Sequence, residues 1–288
     1  MKKEVRRLRE RAQQLKAKRP GYAALLDFYV KVWEAQAASK ASLRVDLVRI
    51  DRSGGGSPAD AGVSLIRKED FPVDIEASTG LFRSLCRLGG AANPHLADQL
   101  GKIGQALADN ALDLKKLVAG GGSEQEIARA AADRGLDEQV LSFLVRSSTL
   151  PSIEVASEQL RGQLDLESSR TGRCPVCGSP PALSLLKGDG GVRYSLCSRC
   201  ACQWRVDRLS CSVCGNKEPA KLHYFCGEGE EAHRIDLCDA CRHYIKTIDC
   251  RSLEDPDPCL EDLATLHLDV VAVQKGYDRF VPNPWTDR

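Results

Sequence analysis

Cys174-Pro175-Val176-Cys177-Gly178 is the first of four Cys-x-x-Cys motifs, and these motifs decide the fold of residues 174–241. The two-residue gap lets both thiolates of one motif, called a knuckle below, bind one ion while the backbone N–H groups between them point at sulfur. A closed tetrahedral site needs four ligands, so two knuckles must combine at each ion. The sequence therefore predicts two metal ions held by eight cysteines: Cys174, Cys177, Cys197, Cys200, Cys211, Cys214, Cys238 and Cys241.

The order of the knuckles favours a sequential pairing, in which the first joins the second and the third joins the fourth. The gaps inside the two pairs are then 19 and 23 residues, which is enough for a hairpin and its return. Gly178 and Gly215 follow two of the knuckles and permit the positive φ that closes such a turn. Each predicted site therefore combines one glycine-type knuckle with one plainer knuckle. An interleaved pairing, first with third, stays open but needs longer crossings.

Cysteine usage favours metal over disulfide bonds. Of the 13 cysteines, 12 lie at or after Cys174, and an odd, lopsided count in a chain without an export signal argues against a disulfide framework. The alternative is four redox or structural thiol pairs without metal, but no thioredoxin-like βαβ pattern surrounds them. Zinc and a single iron ion both suit four thiolates, so the spacing leaves the metal open.

Composition excludes several classes of protein. The 41 basic and 40 acidic residues give a net charge of +1, so no global field attracts nucleic acid or membrane. Apolar runs stay well short of the roughly 18 residues of a membrane span. The N-terminus lacks the apolar core of a secretory signal. We therefore expect no membrane insertion and a location in the reducing cytoplasm. The sequence offers no nucleophile–base set or phosphate loop that would indicate catalysis.

Residues 1–166 carry helical periodicity, which favours an all-α bundle. Two apolar helix faces are predicted: Leu25, Phe28, Val32 and Ala35 on one, and Leu96, Leu100, Ile103, Leu107, Ala111 and Leu114 on the other. Local signals predict the helix ends: Asn93 as a cap before Pro94, Ser123 and Glu126 as a capping box, Gly135 as a stop, and Asp137 as a further start. Glycine-rich stretches interrupt this half at 53–58 and 120–122.

The pattern changes after residues 167–173, which are small and polar as in a linker. Short β-rich runs then predict strands at four places: 183–186, 192–196, 204–209 and 222–225. Residues 260–273 are predicted to be helical or mixed. The change of pattern indicates a helical domain followed by small ribbons around the knuckles.

Further motifs flank the knuckles in a specific order. The first pair carries Cys174-Pro-Val-Cys177-Gly-Ser-Pro-Pro, Arg193-Tyr194 and Trp204. The second pair is followed or interrupted by Leu222-His223-Tyr224, Tyr244-Ile-Lys246, Asp262-Leu263-Ala264, Gly276-Tyr277, Arg279 and Asn283-Pro284. From about residue 174 to 285 the chain thus resembles the FdhE family of formate dehydrogenase accessory proteins. The helical half resembles that family less, with Asp27-Phe28-Tyr29 as its best match.

The resemblance implies a multidomain α+β protein in which an N-terminal all-α helical bundle precedes two tandem rubredoxin-like or zinc-ribbon modules. The expected domains are residues 1–166, residues 167–210 and residues 211–288, the last with the C-terminal segment. The resemblance also implies a cytoplasmic maturation factor that is not an enzyme and that binds the catalytic subunit of respiratory formate dehydrogenase before export. It favours iron as the metal at the eight cysteines, with zinc as the generic alternative.

Two other functions stay open at this stage. A four-cysteine iron site would make the chain a rubredoxin-like redox or oxygen-sensing protein. A basic and aromatic surface of Arg193, Trp204 and Arg205 would suit a zinc ribbon that binds nucleic acid. The near-neutral charge weakens that hypothesis, and Trp204 would otherwise pack the ribbon core.

Several residues outside the knuckles have both an active and a passive interpretation. Cys86, Cys202, Cys226, Cys250 and Cys259 could ligate or oxidise, although free cysteines are more often small buried residues. His223, His233 and His243 could each replace a thiolate, but eight cysteines already complete two sites.

Glu228, Glu230 and Glu231 are typical of a solvated hairpin tip. The first helix, with nine basic residues among its first 19, is expected to expose a solvated face beside Val5, Leu8, Ala12 and Leu15.

Overall fold

A computed structural model gives the structure of residues 2–46, 48, 64–92 and 94–282. Within these described residues the chain forms two compact units. The helical unit comprises residues 2–12, 23–46, 48, 66–92 and 94–159, and the sheet unit comprises residues 13–22, 64–65 and 160–282. The stretch 53–58, the cap proposed at Asn93 and the tail from Asn283 lie outside the described residues. The domain boundaries expected after residues 166 and 210 stay predictions.

The described part of residues 1–166 is helical, as predicted. Its α-helices are α1 (Lys2–Lys18), α2 (Ala23–Lys40), α3 (Ile75–Ala92), α4 (Pro94–Ala108), α5 (Leu114–Val118), α6 (Glu124–Ala132) and α7 (Glu138–Arg161). In α2, Leu26, Phe28 and Val32 are buried, whereas Leu25 and Ala35 are half-buried. The buried face of this helix is therefore rotated from the predicted one.

The ends of these helices follow local backbone chemistry. The stripe predicted from Leu96 to Leu114 is wrong at its end, because α4 stops at Ala108 and Asn110 adopts a positive φ of 52°. Leu114 instead begins α5, where the Asp113 side chain accepts the Lys116 N–H at 3.0 Å.

Of the remaining predicted helix signals, some are confirmed and one is wrong. Helix α6 begins after Ser123, but that side chain makes no capping hydrogen bond, so the capping box is wrong. Asp137 does cap α7, since its carboxylate accepts the Val140 N–H at 3.0 Å. Gly135 adopts a positive φ of 59° just beyond α6, as the stop signal predicted. In the stretch 120–122, one 3₁₀ turn ends at Gly121 and Gly122 takes a φ of 85°.

A seven-stranded sheet dominates the second unit. Its strands are β1 (Pro181–Lys187), β2 (Val192–Cys197), β3 (Gln203–Arg205), β4 (Leu222–Cys226), β5 (His233–Cys238), β6 (His243–Asp249) and β7 (Asp278–Arg279). The order across the sheet is β3-β2-β1-β6-β5-β4, with β7 beside β6. Strands β1 to β3 form one antiparallel ribbon and β4 to β6 form the other. Parallel pairing of β1 with β6 joins the two ribbons.

The two faces of the second ribbon are covered differently. Helices α8 (Pro258–Leu263) and α9 (Leu266–Gln274) supply the apolar cover of one face. There Leu268 and Ala272 pack with Ile235 and Tyr244 of the sheet. The cross-strand register places Asp236, Tyr224 and Ile245 together on the opposite face, where a cleft lies.

The strand predictions were right at β1, β2 and β4 but incomplete elsewhere. The strand expected over 204–209 is wrong in length: β3 ends at Arg205, and Leu209 is 78% exposed in the segment that follows. Strands β5 and β6 were not predicted. They carry Arg234, Asp236 and Lys246, whose charges hide the alternation of buried and half-buried positions in β5 and the continuous run of buried positions in β6.

Over the residues that the structure describes, the helices all fall short of the length and apolarity that crossing a membrane requires.

Candidate metal centres

The first candidate centre gathers Cys174, Cys177, Cys197 and Cys200. The first two lie in the turn before β1, Cys197 ends β2, and Cys200 lies in the turn before β3. The Sγ atoms are 3.6 Å apart for Cys174 and Cys200, and 3.5 Å apart for Cys177 and Cys197. Each of the four side chains is exposed by 5% or less. This centre is closed to solvent.

The second candidate centre gathers Cys211, Cys214, Cys238 and Cys241. The third knuckle lies between β3 and β4, Cys238 ends β5, and Cys241 lies in the turn before β6. The Sγ atoms are 3.8 Å apart both for Cys211 and Cys241 and for Cys214 and Cys238. Cys214 is exposed and only Cys238 is fully buried among the four. This centre therefore opens to solvent on the Cys214 side.

Sulfur spacing tests whether the two groups fit a metal. In each group the four sulfur atoms lie within 4.8 Å of one another. An ion at a metal–sulfur distance of about 2.3 Å would hold tetrahedral thiolates about 3.8 Å apart. A disulfide bond would bring two of them to about 2 Å. Separations of 3.5 to 3.8 Å therefore fit two four-cysteine metal sites in the sequential arrangement. The donor set suits zinc or iron, and the assignment of these eight residues as ligands stays a prediction.

All four knuckles turn in the same way. The residue after each second cysteine adopts a positive φ: 70° at Gly178, 54° at Ala201, 75° at Gly215 and 60° at Arg242. The expected contrast between glycine-type and plainer knuckles is thus one of residue type and not of backbone conformation. Side-chain contacts accompany this conformation at Arg242, whose guanidinium donates to the carbonyl of Gly276 at 3.0 Å and lies over the Tyr277 ring.

Backbone hydrogen bonds close the knuckles and reach the sulfur atoms. The Gly178 N–H donates to the carbonyl of Cys174 at 2.8 Å, and Gly215 repeats this bond to Cys211 at 2.9 Å. The N–H of Arg199 lies 3.4 Å from the Sγ of Cys197, and the N–H of Val213 lies 3.4 Å from the Sγ of Cys211. Donors aimed at sulfur favour the thiolate form, which is the form that binds metal.

Burial acts in the opposite direction on the closed centre. It raises the pKa of the Cys174 and Cys197 thiols well above the ordinary range. A bound cation would displace those protons, because metal ligation and thiol ionisation are coupled. The energy of metal binding at the first centre is therefore tied to the fold that buries it.

The five other cysteines lie outside both groups of four. Cys202 is fully buried next to the first centre, and its Sγ lies 3.8 Å from the carbonyl of Gln203. Burial raises the pKa of Cys86 to about 11 and also raises the pKa of Cys250, so both thiols are poor nucleophiles. Cys226 and Cys259 are exposed.

The three histidines of the ribbons each have a partner other than a cysteine sulfur. His223 lies 2.9 Å from Asp239, and the buried His233 lies 2.7 Å from buried Glu261. The Nδ1 atom of His243 lies 2.7 Å from the carbonyl of Cys241. These contacts agree with the passive interpretation of the three side chains.

The acidic tip between β4 and β5 differs from its prediction at Glu230. That carboxylate accepts a bond from Arg19 at 2.7 Å and lies 2.7 Å from His267 on α9. Its side chain is 20% exposed, whereas Glu228 and Glu231 are exposed as expected. Arginine and histidine hold the pKa of Glu230 below its usual range, against the opposing effect of burial.

The basic and aromatic surface that a nucleic-acid-binding ribbon would need is not formed by Arg193 and Trp204. Trp204 is fully buried, and its indole N–H donates to the carbonyl of Thr171 at 2.8 Å. Arg193 is 4% exposed and pairs with Asp236 at 2.9 Å. It also donates to the carbonyl of Ser210 at 3.1 Å. Because Ser210 precedes Cys211, this buried arginine ties the first ribbon to the second centre.

A buried ionic cluster lies on the helix-covered face of the sheet. Lys246 is fully buried and pairs with Asp262 at 2.8 Å and with Asp269 at 2.6 Å. Arg279 contacts the same two carboxylates at 2.9 and 3.0 Å, and Tyr244 donates to Asp269 at 2.9 Å. Burial opposes ionisation of Asp262, but Arg279 and Lys246 outweigh it and hold its pKa at about 2. The motifs that sequence analysis singled out at 244–246 and 262–264 thus meet in one structural cluster.

Two protein-family models match the part of the chain that builds the candidate centres. The family model described as "FdhE, central domain" matches residues 173–208, and the one described as "FdhE, C-terminal domain" matches residues 209–286. Together they cover both candidate centres and the helices behind the second ribbon.

Similar relatives carry the same description. A "Protein FdhE homolog" of Stutzerimonas stutzeri (strain A1501) is 37% identical over 129 residues, which is 42% of this chain and 42% of the relative. A homolog of the same name from Aquifex aeolicus (strain VF5) is 32% identical over 148 residues, which is 50% of this chain and 52% of the relative. "Protein FdhE" of Escherichia coli O9:H4 (strain HS) is 38% identical over 119 residues, with 39% and 37% coverage. The chain thus spans about half the length, or less, of these relatives.

A solved structure extends the likeness of fold to nearly the whole chain. The crystal structure of the FdhE protein from Pseudomonas aeruginosa aligns with a TM-score of 0.67 over 97% of this chain and 94% of that chain. Sequence identity in that alignment is 23%, so it establishes a shared fold and nothing further.

Proposed function

Since the chain belongs to the FdhE family through residues 173–286, we propose that it is a cytoplasmic accessory protein for respiratory formate dehydrogenase. In this proposal it binds the catalytic subunit of that enzyme before export and supports formation of the active enzyme. The observation that carries the proposal is the match of both FdhE domains over the residues that build the two four-cysteine groups. The chain acts by binding and carries no catalytic reaction of its own.

We further propose that the eight cysteines hold two metal ions whose role in the accessory function is to organise the binding unit. The donor set and the sulfur spacing support this role, because a closed all-thiolate tetrahedral site is the usual form of a structural metal centre. Each ion would link a knuckle of one loop to the end of a strand. Metal binding would therefore contribute directly to the stability of the sheet unit.

Co-purification tests the accessory function. The full chain carrying an affinity tag is recovered from a native anaerobic extract of a formate-respiring host, with the tag alone as control. The expected result is specific recovery of the formate dehydrogenase catalytic subunit, identified by mass spectrometry. Deletion of the gene should also abolish respiratory formate oxidation. Failure to recover that subunit, together with unchanged formate oxidation in the deletion strain, would overturn the proposal.

A second candidate function is electron transfer or oxygen sensing by iron at these sites. The specific observation in its favour is the set of N–H groups aimed at sulfur, because such hydrogen bonds tune the potential of an iron–thiolate centre. Anaerobic purification followed by metal analysis and an absorption spectrum decides the matter. Bound iron with a visible thiolate absorption that bleaches on reduction supports it, and colourless protein with two zinc ions rejects it.

A further inference from the structure

The sheet face opposite helices α8 and α9 forms a cleft that neither metal centre accounts for. Its volume is about 330 Å³, which lies near the lower end of the range for ligand clefts. Strands β4 to β6 form its floor, and the segment that leads into the third knuckle forms its wall. Cys211 and Cys238 of the second centre lie in the lining.

Arginines outnumber carboxylates among the side chains that line the cleft. Arg193, Arg208 and Arg234 stand against a single carboxylate, that of Asp236. Asp236 contacts both Arg193 and Arg234 at 2.9 Å, so that this trio keeps one positive charge in excess. Arg208 adds a second, since its hydrogen bond goes to the uncharged carbonyl of Gly190 at 3.2 Å. The outer rim has a carboxylate nearby, because His223 of the rim lies beside Asp239.

Large apolar side chains stand exposed around this basic cleft. Leu209 is 78% exposed and Tyr224 is 66% exposed, and both line it. Exposed aromatic and arginine side chains at one place are the groups that contribute most to protein–protein binding. Tyr224 lies on β4, whose one sheet neighbour among the described residues is β5. An edge strand of this kind can pair with an extended segment of another protein.

We propose that this cleft is the docking site for an extended segment of the formate dehydrogenase catalytic subunit that carries a carboxylate side chain next to an apolar one. The inference rests on the proposed accessory function and specifies the surface that performs it. The carboxylate pairs with Arg208 and Arg234, the apolar side chain packs against Leu209 and Tyr224, and the backbone lies along β4. Charge complementarity of this kind steers association and selects the partner. The bound segment also covers the cleft side of the second centre.

The test measures capture of the catalytic subunit by full-length variants that retain their metal. Arg208→Glu is expected to lower capture about tenfold or more, and Tyr224→Ala several-fold, because both remove exposed contact groups. Arg208→Lys should retain most of the binding. Arg129→Glu on α6, a charge reversal at a side chain that is 82% exposed, is the matched control and should bind like wild type.

Hydrogen exchange on the wild-type complex gives a readout that needs no variant. The amides of β4 should become protected when the catalytic subunit binds. If wild-type protein captures that subunit but both cleft variants bind equally well and β4 gains no protection, the cleft proposal fails while the accessory function stands. If Arg129→Glu loses as much binding as Arg208→Glu, the loss comes from the changed net charge of the protein and not from the cleft, and the cleft proposal also fails. If wild-type protein captures nothing, the accessory function itself fails.

Discussion

At the scale of single residues, the conformation after each second knuckle cysteine shapes the candidate centres. A left-handed backbone costs an ordinary residue roughly 1 kcal/mol or more, because its Cβ crowds the following carbonyl. Ala201 and Arg242 nevertheless adopt it. The turn gives the reason at Arg242. In this conformation the Arg242 N–H donates to the carbonyl of Cys238 at 2.8 Å, and this hydrogen bond closes the knuckle.

Gly215→Ala isolates this conformational cost. A Cβ at Gly215 meets nothing within 4 Å, so the penalty comes from the φ of 75° alone. We expect a loss of about 1 kcal/mol in the unfolding free energy of the sheet unit. Gly190→Ala is the control, because that position is equally open and its φ is not in the strained range. Urea unfolding followed by circular dichroism measures both variants, and equal stability of the two would contradict the assignment.

Cys174→Ser tests the ligand assignment against a neighbouring cysteine that lies outside the group. Loss of one thiolate from a closed four-ligand site should remove one equivalent of metal and weaken the sheet unit while the helical unit keeps its structure. Cys202→Ser is the matched control, since Cys202 is just as buried. Metal analysis after gel filtration should find one ion in the first variant and two in the second. Two ions in Cys174→Ser would refute its role as a ligand.

Sequence alone identified the eight knuckle cysteines because a two-residue spacing leaves few alternatives to a shared ion. It did not identify Ala201 and Arg242 as left-handed residues, because neither residue type favours that conformation. It left a surface of Arg193 and Trp204 open as an alternative and favoured Trp204 as a core residue; the structure buries both side chains. Burial of such residues depends on partners that are distant in sequence, such as Asp236 and the carbonyl of Thr171.

At the scale of secondary structure elements, the buried ionic cluster joins β6, β7, α8 and α9. Two cations face two carboxylates there with side chains that are 13% exposed or less. Desolvation makes such a cluster a modest contributor to net stability, but removal of one member leaves an uncompensated buried charge. The cluster therefore fixes where the helices lie on the sheet.

Lys246→Met tests this role. The variant keeps a long side chain but leaves Arg279 as the one cation of the cluster that faces Asp262 and Asp269, so we expect a loss of about 3 kcal/mol or more in the stability of the sheet unit. Lys217→Met is the matched control, because Lys217 is 69% exposed and its ion pair with Asp207 is a surface pair. Such a pair is worth about 0.5 kcal/mol. Thermal unfolding of both variants measures the difference, and a Lys246→Met protein as stable as the control would contradict the role.

Charged side chains explain why strands β5 and β6 were not predicted. Strands β1 and β2 were predicted because apolar residues dominate them, and β4 because aromatic residues do. Strand β6 carries a fully buried lysine, and β5 carries a half-buried arginine and a half-buried aspartate between its buried positions. Lys246 and Asp236 are paired with side chains on other elements, which no periodicity in the strand itself can indicate.

At the scale of the whole molecule, the two ribbons share one sheet. The parallel pairing of β1 with β6 places Ser184 beside Thr247 and Leu185 beside Ile248. Local hairpins are predictable from spacing, but pairing between residues 63 positions apart depends on long-range packing that spacing does not encode. The two ribbons are therefore parts of one sheet, and the two candidate metal centres lie at separate places on it.

The two centres should consequently differ in how they release metal. The first is enclosed by side chains exposed by 5% or less, whereas Cys214 of the second faces solvent. A chelator must reach the ion or a departing thiolate, so we expect one equivalent to leave rapidly and the other only on the timescale of unfolding. Absorbance of a chromophoric zinc or iron chelator follows both phases.

Thiol labelling identifies which centre has emptied. After the rapid phase, iodoacetamide should modify Cys211, Cys214, Cys238 and Cys241 and leave the four cysteines of the first centre unmodified, as read by peptide mass spectrometry. Fully denatured protein labelled at all 13 cysteines is the control. Release of both equivalents in a single phase, or labelling of Cys174 before Cys214, would show that burial in the sheet unit does not control access to the metal. The expected order instead makes the second centre, beside the basic cleft, the one whose metal a bound partner can shield.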